Sequence, residues 1–250
     1  MDLTVLGACG TYPRAGGACS GYLVQHDGFT LWMDAGHGTL AQLQEHVKVT
    51  DVDAIFISHA HPDHFVDIYP FFYSMFWRPE RKETIPVYGP EMAHERMSRL
   101  LTPRDGKDHF DTLLPWTDFV AGETVELGPL KLTAFESAHS CTNVCLRIEA
   151  GGKVLTYTGD TGQHPALAKA AADADLFLCE ASWVEAERSI PEPIHLRARE
   201  AGEIATEARA KHLVLTHVWP HNDMDLVLEQ ASGPYDGPLE IADSNMRWSL

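Results

Sequence analysis

The apolar run Ala54-Ile55-Phe56-Ile57 passes through Ser58 straight into His59-Ala60-His61-Pro62-Asp63-His64. The run reads as a buried strand. Three imidazoles and a carboxylate are therefore delivered at a strand's end, where α/β folds build their sites. In extended backbone, residues two apart point the same way, so His59 and His61 can chelate one ion. Asp63 and His64 begin the next turn and can face a second ion beside the first. Imidazole nitrogen and carboxylate oxygen are ligands for zinc and its first-row neighbours. A polar loop that carries several histidines by chance is the plainer alternative.

Three later apolar runs end in the same kind of residue. Leu132–Phe135 leads to His139, Val154-Leu155-Thr156-Tyr157 leads to Thr158-Gly159-Asp160, and Leu213-Val214-Leu215 leads to Thr216-His217. A single histidine after a strand is weak evidence; together they form a set. One site would take His59, His61 and His139. The other would take Asp63, His64 and His217, with Asp160 sharing its two oxygens between them. Trp183, His221 and the proline-rich stretch 189–193 are expected near the rim.

Strands and helices alternate in both halves, which predicts an α/β fold of two packed sheets flanked by helices. The 250 residues suit one domain, 1–250. The aromatic segment Phe65 to Trp77 reads as a helix packed on a sheet. A net charge of −17 argues against a broad nucleic-acid surface. It leaves room for a small phosphate, because bound cations add positive charge the count omits. The five cysteines form no C-x-x-C pair and read as reduced, mostly buried thiols. The N-terminus lacks the basic and apolar regions of a signal peptide, and no apolar run could span a membrane. These features predict a cytoplasmic protein.

The H-A-H-P-D-H motif, His139, the T-G-D at Asp160 and the T-H at His217 resemble the metallo-β-lactamase superfamily across most of the chain. The resemblance implies a four-layer αβ/βα sandwich, two mixed sheets flanked by helices, with two divalent metal ions. Zinc is expected; manganese or iron are alternatives. Asp34, in Leu31-Trp32-Met33-Asp34-Ala35-Gly36, matches an upstream aspartate that supports the ligand loop by hydrogen bonds and is not itself a ligand. An aspartate at 160 resembles the phosphodiesterase branch, which includes ribonuclease Z. Cys179-Glu180-Ala181-Ser182 followed by His195 is similar to that branch's glutamate and helix-start histidine. The likeness implies catalytic roles for Asp63, Glu180 and His195. Glu180 would orient His195, and His195 would donate to a phosphate oxygen or leaving group.

Ribonuclease Z carries an arm that grips transfer RNA, inserted between the positions matching His139 and Asp160. Only 20 residues separate the two here, and a hairpin of two strands accounts for them. The loop 10–17 also lacks that family's basic stretch. Transfer RNA is therefore not the expected partner. Ser20-Gly21-Tyr22-Leu23, Tyr88-Gly89-Pro90 and Thr158-Gly159-Asp160-Thr161-Gly162 are similar to small actinobacterial atypical class II cyclic-nucleotide phosphodiesterases. That likeness implies hydrolysis of a small phosphodiester such as a cyclic nucleotide, by a homodimer. The alternatives are ribonuclease Z-like RNA processing, hydrolysis of a carboxylic ester, lactone or sulfate ester, and a non-catalytic metal-binding protein.

Overall fold

Apolar residues alternate between two faces along the strands, and that alternation sets the layers. A computed structural model describes residues 1–78, 80, 83–184 and 194–250; the stretch 189–193 lies outside them. The first sheet holds β1 (Asp2–Gly7), β2 (Gly21–His26), β3 (Phe29–Ala35), β4 (Ala54–Phe56), β5 (Val87–Gly89) and β6 (Trp116–Asp118). The second holds β7 (Thr124–Leu127), β8 (Leu130–Phe135), β9 (Cys145–Ala150), β10 (Lys153–Tyr157), β11 (Leu176–Glu180), β12 (Leu213–Thr216) and β13 (Leu239–Ile241). The last strand, β14 (Arg247–Ser249), returns to the edge of the first sheet beside β1. Each sheet is mixed: antiparallel through β1–β3 and β7–β10, parallel through β3–β6 and β10–β13.

Leu3, Val5, Tyr22, Val24, Leu31 and Met33 face inward against Leu132, Leu146, Ile148, Leu155, Leu178 and Val214 of the other sheet. The intervening Leu6, Leu23, Trp32 and Ile55 face outward. They are covered by helices α1 (Thr39–His46), α2 (Pro62–Phe65), α3 (Ile68–Phe76), α4 (Glu91–Arg99) and α5 (Lys107–Leu113). Phe177, Cys179, Leu213 and Leu215 face the other way, under α6 (Pro165–Ala170), α7 (Ala198–Ala208) and α8 (Met224–Ser232). The expected four-layer αβ/βα sandwich is therefore the observed one. In α7, Ala201, Ile204, Ala205 and Ala208 form the buried stripe that their spacing predicts.

The aromatic segment is helical from Ile68 to Phe76, with Phe65 closing α2. Between the two helices the buried Asp67 carboxylate accepts a hydrogen bond from Leu40 N at 2.8 Å. Ile68, Phe71, Phe72 and Met75 then bury one face of α3, while Trp77 is exposed. Cys9, Cys19, Cys145 and Cys179 are buried free thiols, as expected; Cys141 is half-buried. Among the described residues, no helix is long and apolar enough to cross a membrane.

The site is positioned by strand ends. β4, β10, β11 and β12 end, respectively, just before the H-A-H-P-D-H motif, before the turn to Asp160, at Glu180 and just before His217. At the end of β3, Gly21 pairs with Ala35 and Tyr22 with Met33, so Asp34 is the extra residue of a bulge. Such bulges re-aim a side chain. Asp34 has φ 57°, in the left-handed region that ordinary residues avoid. Next to it, a Cβ on Gly36 would collide with the Asp63 carbonyl, so the ligand loop can lie directly on this turn only because Gly36 has none.

Candidate metal centre

The structure brings all seven expected ligands together in two adjoining clusters that share Asp160. In the first, His61 Nδ1 lies 3.0 Å from both His59 Nε2 and His139 Nε2. Asp160 Oδ2 lies 3.6 Å from His59 Nε2 and 4.0 Å from His139 Nε2. In the second, His64 Nε2 lies 3.6 Å from Asp63 Oδ2 and 3.3 Å from Asp160 Oδ1. His217 Nε2 lies 3.3 Å from Asp63 Oδ2 and 3.4 Å from Asp160 Oδ2.

The donor set fits cations, because the outward nitrogen of each histidine is occupied. His64 Nδ1 donates to Asp34 Oδ2 at 2.8 Å and His139 Nδ1 to the Ile194 carbonyl at 2.8 Å. His59 Nδ1 donates to Ser58 Oγ at 3.0 Å, and Ser58 passes its own proton to Asp34 Oδ2 at 2.7 Å. His217 Nδ1 repeats the device: it donates to Ser182 Oγ at 2.8 Å, and Ser182 donates to Glu180 Oε2 at 2.6 Å. His61 turns the other way, with Nε2 4.0 Å from Cys141 Sγ. These tautomers, assigned from the network, aim five lone pairs inward. His64 Nε2 and Asp160 Oδ1 are buried without a hydrogen-bond partner, which a cation would supply.

Burial and mutual proximity hold His59 well below the usual imidazole range and lower His61 and His139 as well. Neutral imidazole is the form that ligates. Burial opposes ionisation of Asp160, but His217, His64 and His59 outweigh it and keep the carboxylate charged. His64 is the exception: burial disfavours its charge, yet Asp160, Asp63 and Asp34 raise it well above the ordinary value. These carboxylates favour a second proton on His64, at Nε2, and a cation binding there would displace it. Cation binding is expected to release about one proton and to strengthen as pH rises. Zinc titration calorimetry in buffers of differing ionisation enthalpy measures this; a buffer-independent heat would contradict it.

Asp34 accepts four hydrogen bonds: from Ser58 N, Ser58 Oγ and Tyr157 OH, each at 2.7 Å, and from His64 Nδ1. All these groups are buried. Asp34→Asn keeps the shape but turns one acceptor into a donor among donors. The variant is expected to lose about 2 kcal/mol of stability in urea unfolding and about 10–100-fold in cation affinity by chelator competition.

Glu180 and His195 meet beside the shared carboxylate. His195 Nδ1 lies 3.0 Å from Glu180 Oε1, which also accepts from Thr161 N. Burial pushes the His195 imidazolium down, but Glu180 more than compensates and raises it to about 9. Its ring centre is 5.2 Å from that of His139 and 5.5 Å from that of His217, so it stands over both clusters. Glu180, His195 and His217 also form a group of ligand-type atoms. Ser182 Oγ is in contact with all three residues, and hydrogen bonding accounts for the group.

Sequence reasoning missed Ser58, Ser182 and Tyr157, all of which act through hydrogen bonds. The only signal was position: each serine lies in a segment already singled out. It also missed Thr11, whose amide donates to Asp63 Oδ2 at 3.0 Å from the other end of the chain. Trp183 and His221 do lie around the site. Trp183 packs edge-on against His195, with ring centres 5.2 Å apart.

A fold and a site of this kind define a metallo-hydrolase, and the family model for the beta-lactamase superfamily domain matches residues 30–218. The chain belongs to the metallo-β-lactamase superfamily. It is 30% identical over 252 residues to a probable metallo-hydrolase, YhfI of Bacillus subtilis, with 99% of each chain covered. The crystal structure of YhfI, a metallo-beta-lactamase fold protein, matches with a TM-score of 0.89 at 29% identity, covering 99% of both chains. The protein ML1173 of Mycobacterium leprae is 34% identical over 254 residues, covering 100% of this chain and 89% of its own. Ribonuclease Z of Myxococcus xanthus is 30% identical over 294 residues, covering 97% of this chain and 95% of its own.

Proposed function

We propose that this metallo-hydrolase is a phosphodiesterase acting on a small phosphodiester, a cyclic nucleotide fitting best. The observation that carries this reading is His195, a charged donor fixed by Glu180 over the Asp160 that joins the two clusters. Such a donor suits an alkoxide leaving group, the product of cleaving a phosphodiester.

His59, His61 and His139 would hold one divalent cation and Asp63, His64 and His217 the other, with Asp160 shared. The cations would supply Lewis-acid charge for the phosphoryl oxygens and acidify a water from about 15.7 toward about 7. Zinc suits the nitrogen-rich set, with manganese or iron as alternatives. Asp63, held by the Thr11 amide, accepts the proton of the attacking water and keeps it in line. Glu180 keeps Nδ1 of His195 protonated, which leaves Nε2 to donate to the departing oxygen. The buried serine relays hold His59 and His217 in one orientation throughout.

Two features favour a small substrate over RNA. β9 and β10 form a tight hairpin through the Ala150–Lys153 turn, and these strands fill the segment where ribonuclease Z carries its arm. The net charge of −17 opposes a polyanion. The test is a screen of zinc-reconstituted protein against cyclic nucleotides, bis-p-nitrophenyl phosphate, p-nitrophenyl acetate, p-nitrophenyl sulfate and precursor transfer RNA. Fastest turnover is expected on a cyclic nucleotide. Faster acetate or sulfate hydrolysis would overturn the reading, as would RNA cleavage that outpaces the small diesters. A cation-loaded protein inert to all of them would be a metal-binding protein without catalysis.

A further inference from the structure

Two exposed aromatic side chains lie beside the second cluster, and the mechanism uses neither. Tyr12 follows Thr11, whose amide touches Asp63 Oδ2 at 3.0 Å and His217 Nε2 at 3.4 Å. His221 lies four residues beyond His217. The Tyr12 hydroxyl and His221 Nδ1 share a hydrogen bond at 3.1 Å. Their ring planes differ by only 7° and their centres are 6.5 Å apart. A hydrogen bond between ring edges combined with so long a separation places the rings side by side, not face on face. Tyr12 and His221 thus form one flat platform of two rings, held in plane by the bond between them. Tyr12 is 44% exposed, and His221 is exposed too, so the platform is open to solvent.

Trp219 links this platform to the reacting centre. Its ring centre is 5.3 Å from that of His221 and 6.5 Å from that of His195. An aromatic arc therefore runs from the loop that touches Asp63 round to His195.

We infer that the Tyr12–His221 platform, backed by Trp219, is the subsite for the base of a nucleoside phosphate whose phosphate lies at the metal centre. The inference rests on the phosphodiesterase reading and names the part of the substrate that reading leaves open. A flat aromatic surface binds a planar base through its π-face, whatever the base's edge pattern. An aliphatic ester would gain little from such a surface. The acidic chain admits one nucleotide more readily than a polymer.

The test uses zinc-loaded protein and two substrates: cyclic adenosine monophosphate and the cyclic ribose phosphate that lacks the base. Base stacking on one aromatic residue is worth about tenfold in affinity or more. Tyr12→Ala and His221→Ala are each expected to lower the ratio of kcat/KM, base-bearing over base-free, about tenfold. Tyr12→Phe, which keeps the ring and loses the hydrogen bond, is expected to lower it less. Binding of adenosine monophosphate, read by tryptophan fluorescence quenching, should weaken by the same factor in Tyr12→Ala. An unchanged ratio in both alanine variants would overturn the subsite while leaving the phosphodiesterase reading intact. Wild-type protein that hydrolyses neither diester but binds the nucleotide in a Tyr12-dependent way would do the reverse. Wild-type protein that neither hydrolyses nor binds would overturn both.

Discussion

Asp160→Ala is expected to lose both cations together and to fall at least about 10³-fold in turnover, about 4 kcal/mol of transition-state stabilisation. Its carboxylate reaches both clusters. Oδ2 approaches His59, His139 and His217, while Oδ1 approaches His64. Its removal takes the shared anion from both clusters at once, so two divalent cations would face imidazoles with Asp63 as their remaining carboxylate. Cation repulsion then goes uncompensated in a buried setting. Elemental analysis after gel filtration measures occupancy, and diester hydrolysis measures turnover. Retained activity with two bound ions would sink the shared role of Asp160. Loss of one ion alone would show that the clusters fill independently.

His195→Ala is expected to separate chemistry from cation binding. Its Nδ1 is engaged by Glu180, and none of the seven candidate ligands hydrogen-bonds to it directly. Metal content should therefore stay at the wild-type level while kcat falls about 10²–10⁴-fold, the usual range for losing a positioned proton donor. The pH profile carries the sign. Glu180 raises the folded-state value to about 9, so the protonated ring persists through neutral pH and is lost on the alkaline side. Bound cations pull that limb toward lower pH. Wild-type kcat should fall along the limb as pH rises, and the His195→Ala profile should lack it. Loss of metal in the variant would show that His195 belongs with the ligands.

The candidate ligands were legible because they are metal-type residues following apolar runs, and strand ends converge on one side of the sandwich. His59, His61 and His64 announce themselves by density. His139, Asp160 and His217 needed the others to become meaningful. The supports were not legible in this way. Asp34 reaches His64 through a β-bulge, and a one-residue register shift leaves no compositional trace; only the family resemblance pointed to it. Ser58 and Ser182 are common residues whose role exists only once two loops pack together. Tyr12 and His221 are 209 residues apart and meet only in the folded chain. The edge strands β6, β13 and β14 escaped notice for a simpler reason: each has three residues and none is fully buried, too little for alternation to register.

Both clusters draw on both sheets. His59, His61, Asp63 and His64 come from the first half of the chain, and His139, Asp160 and His217 from the second. Each cation would thus act as a clasp across the sandwich, bonded to two layers that are otherwise joined by an apolar interface. Free-metal concentration then becomes a term in folding stability: at 100 times the dissociation constant, one site adds about 2.7 kcal/mol. Chelation should lower Tm, and restoring zinc should raise it in proportion to the logarithm of its concentration. The fold itself would in this way sense the supply of the ion its chemistry requires.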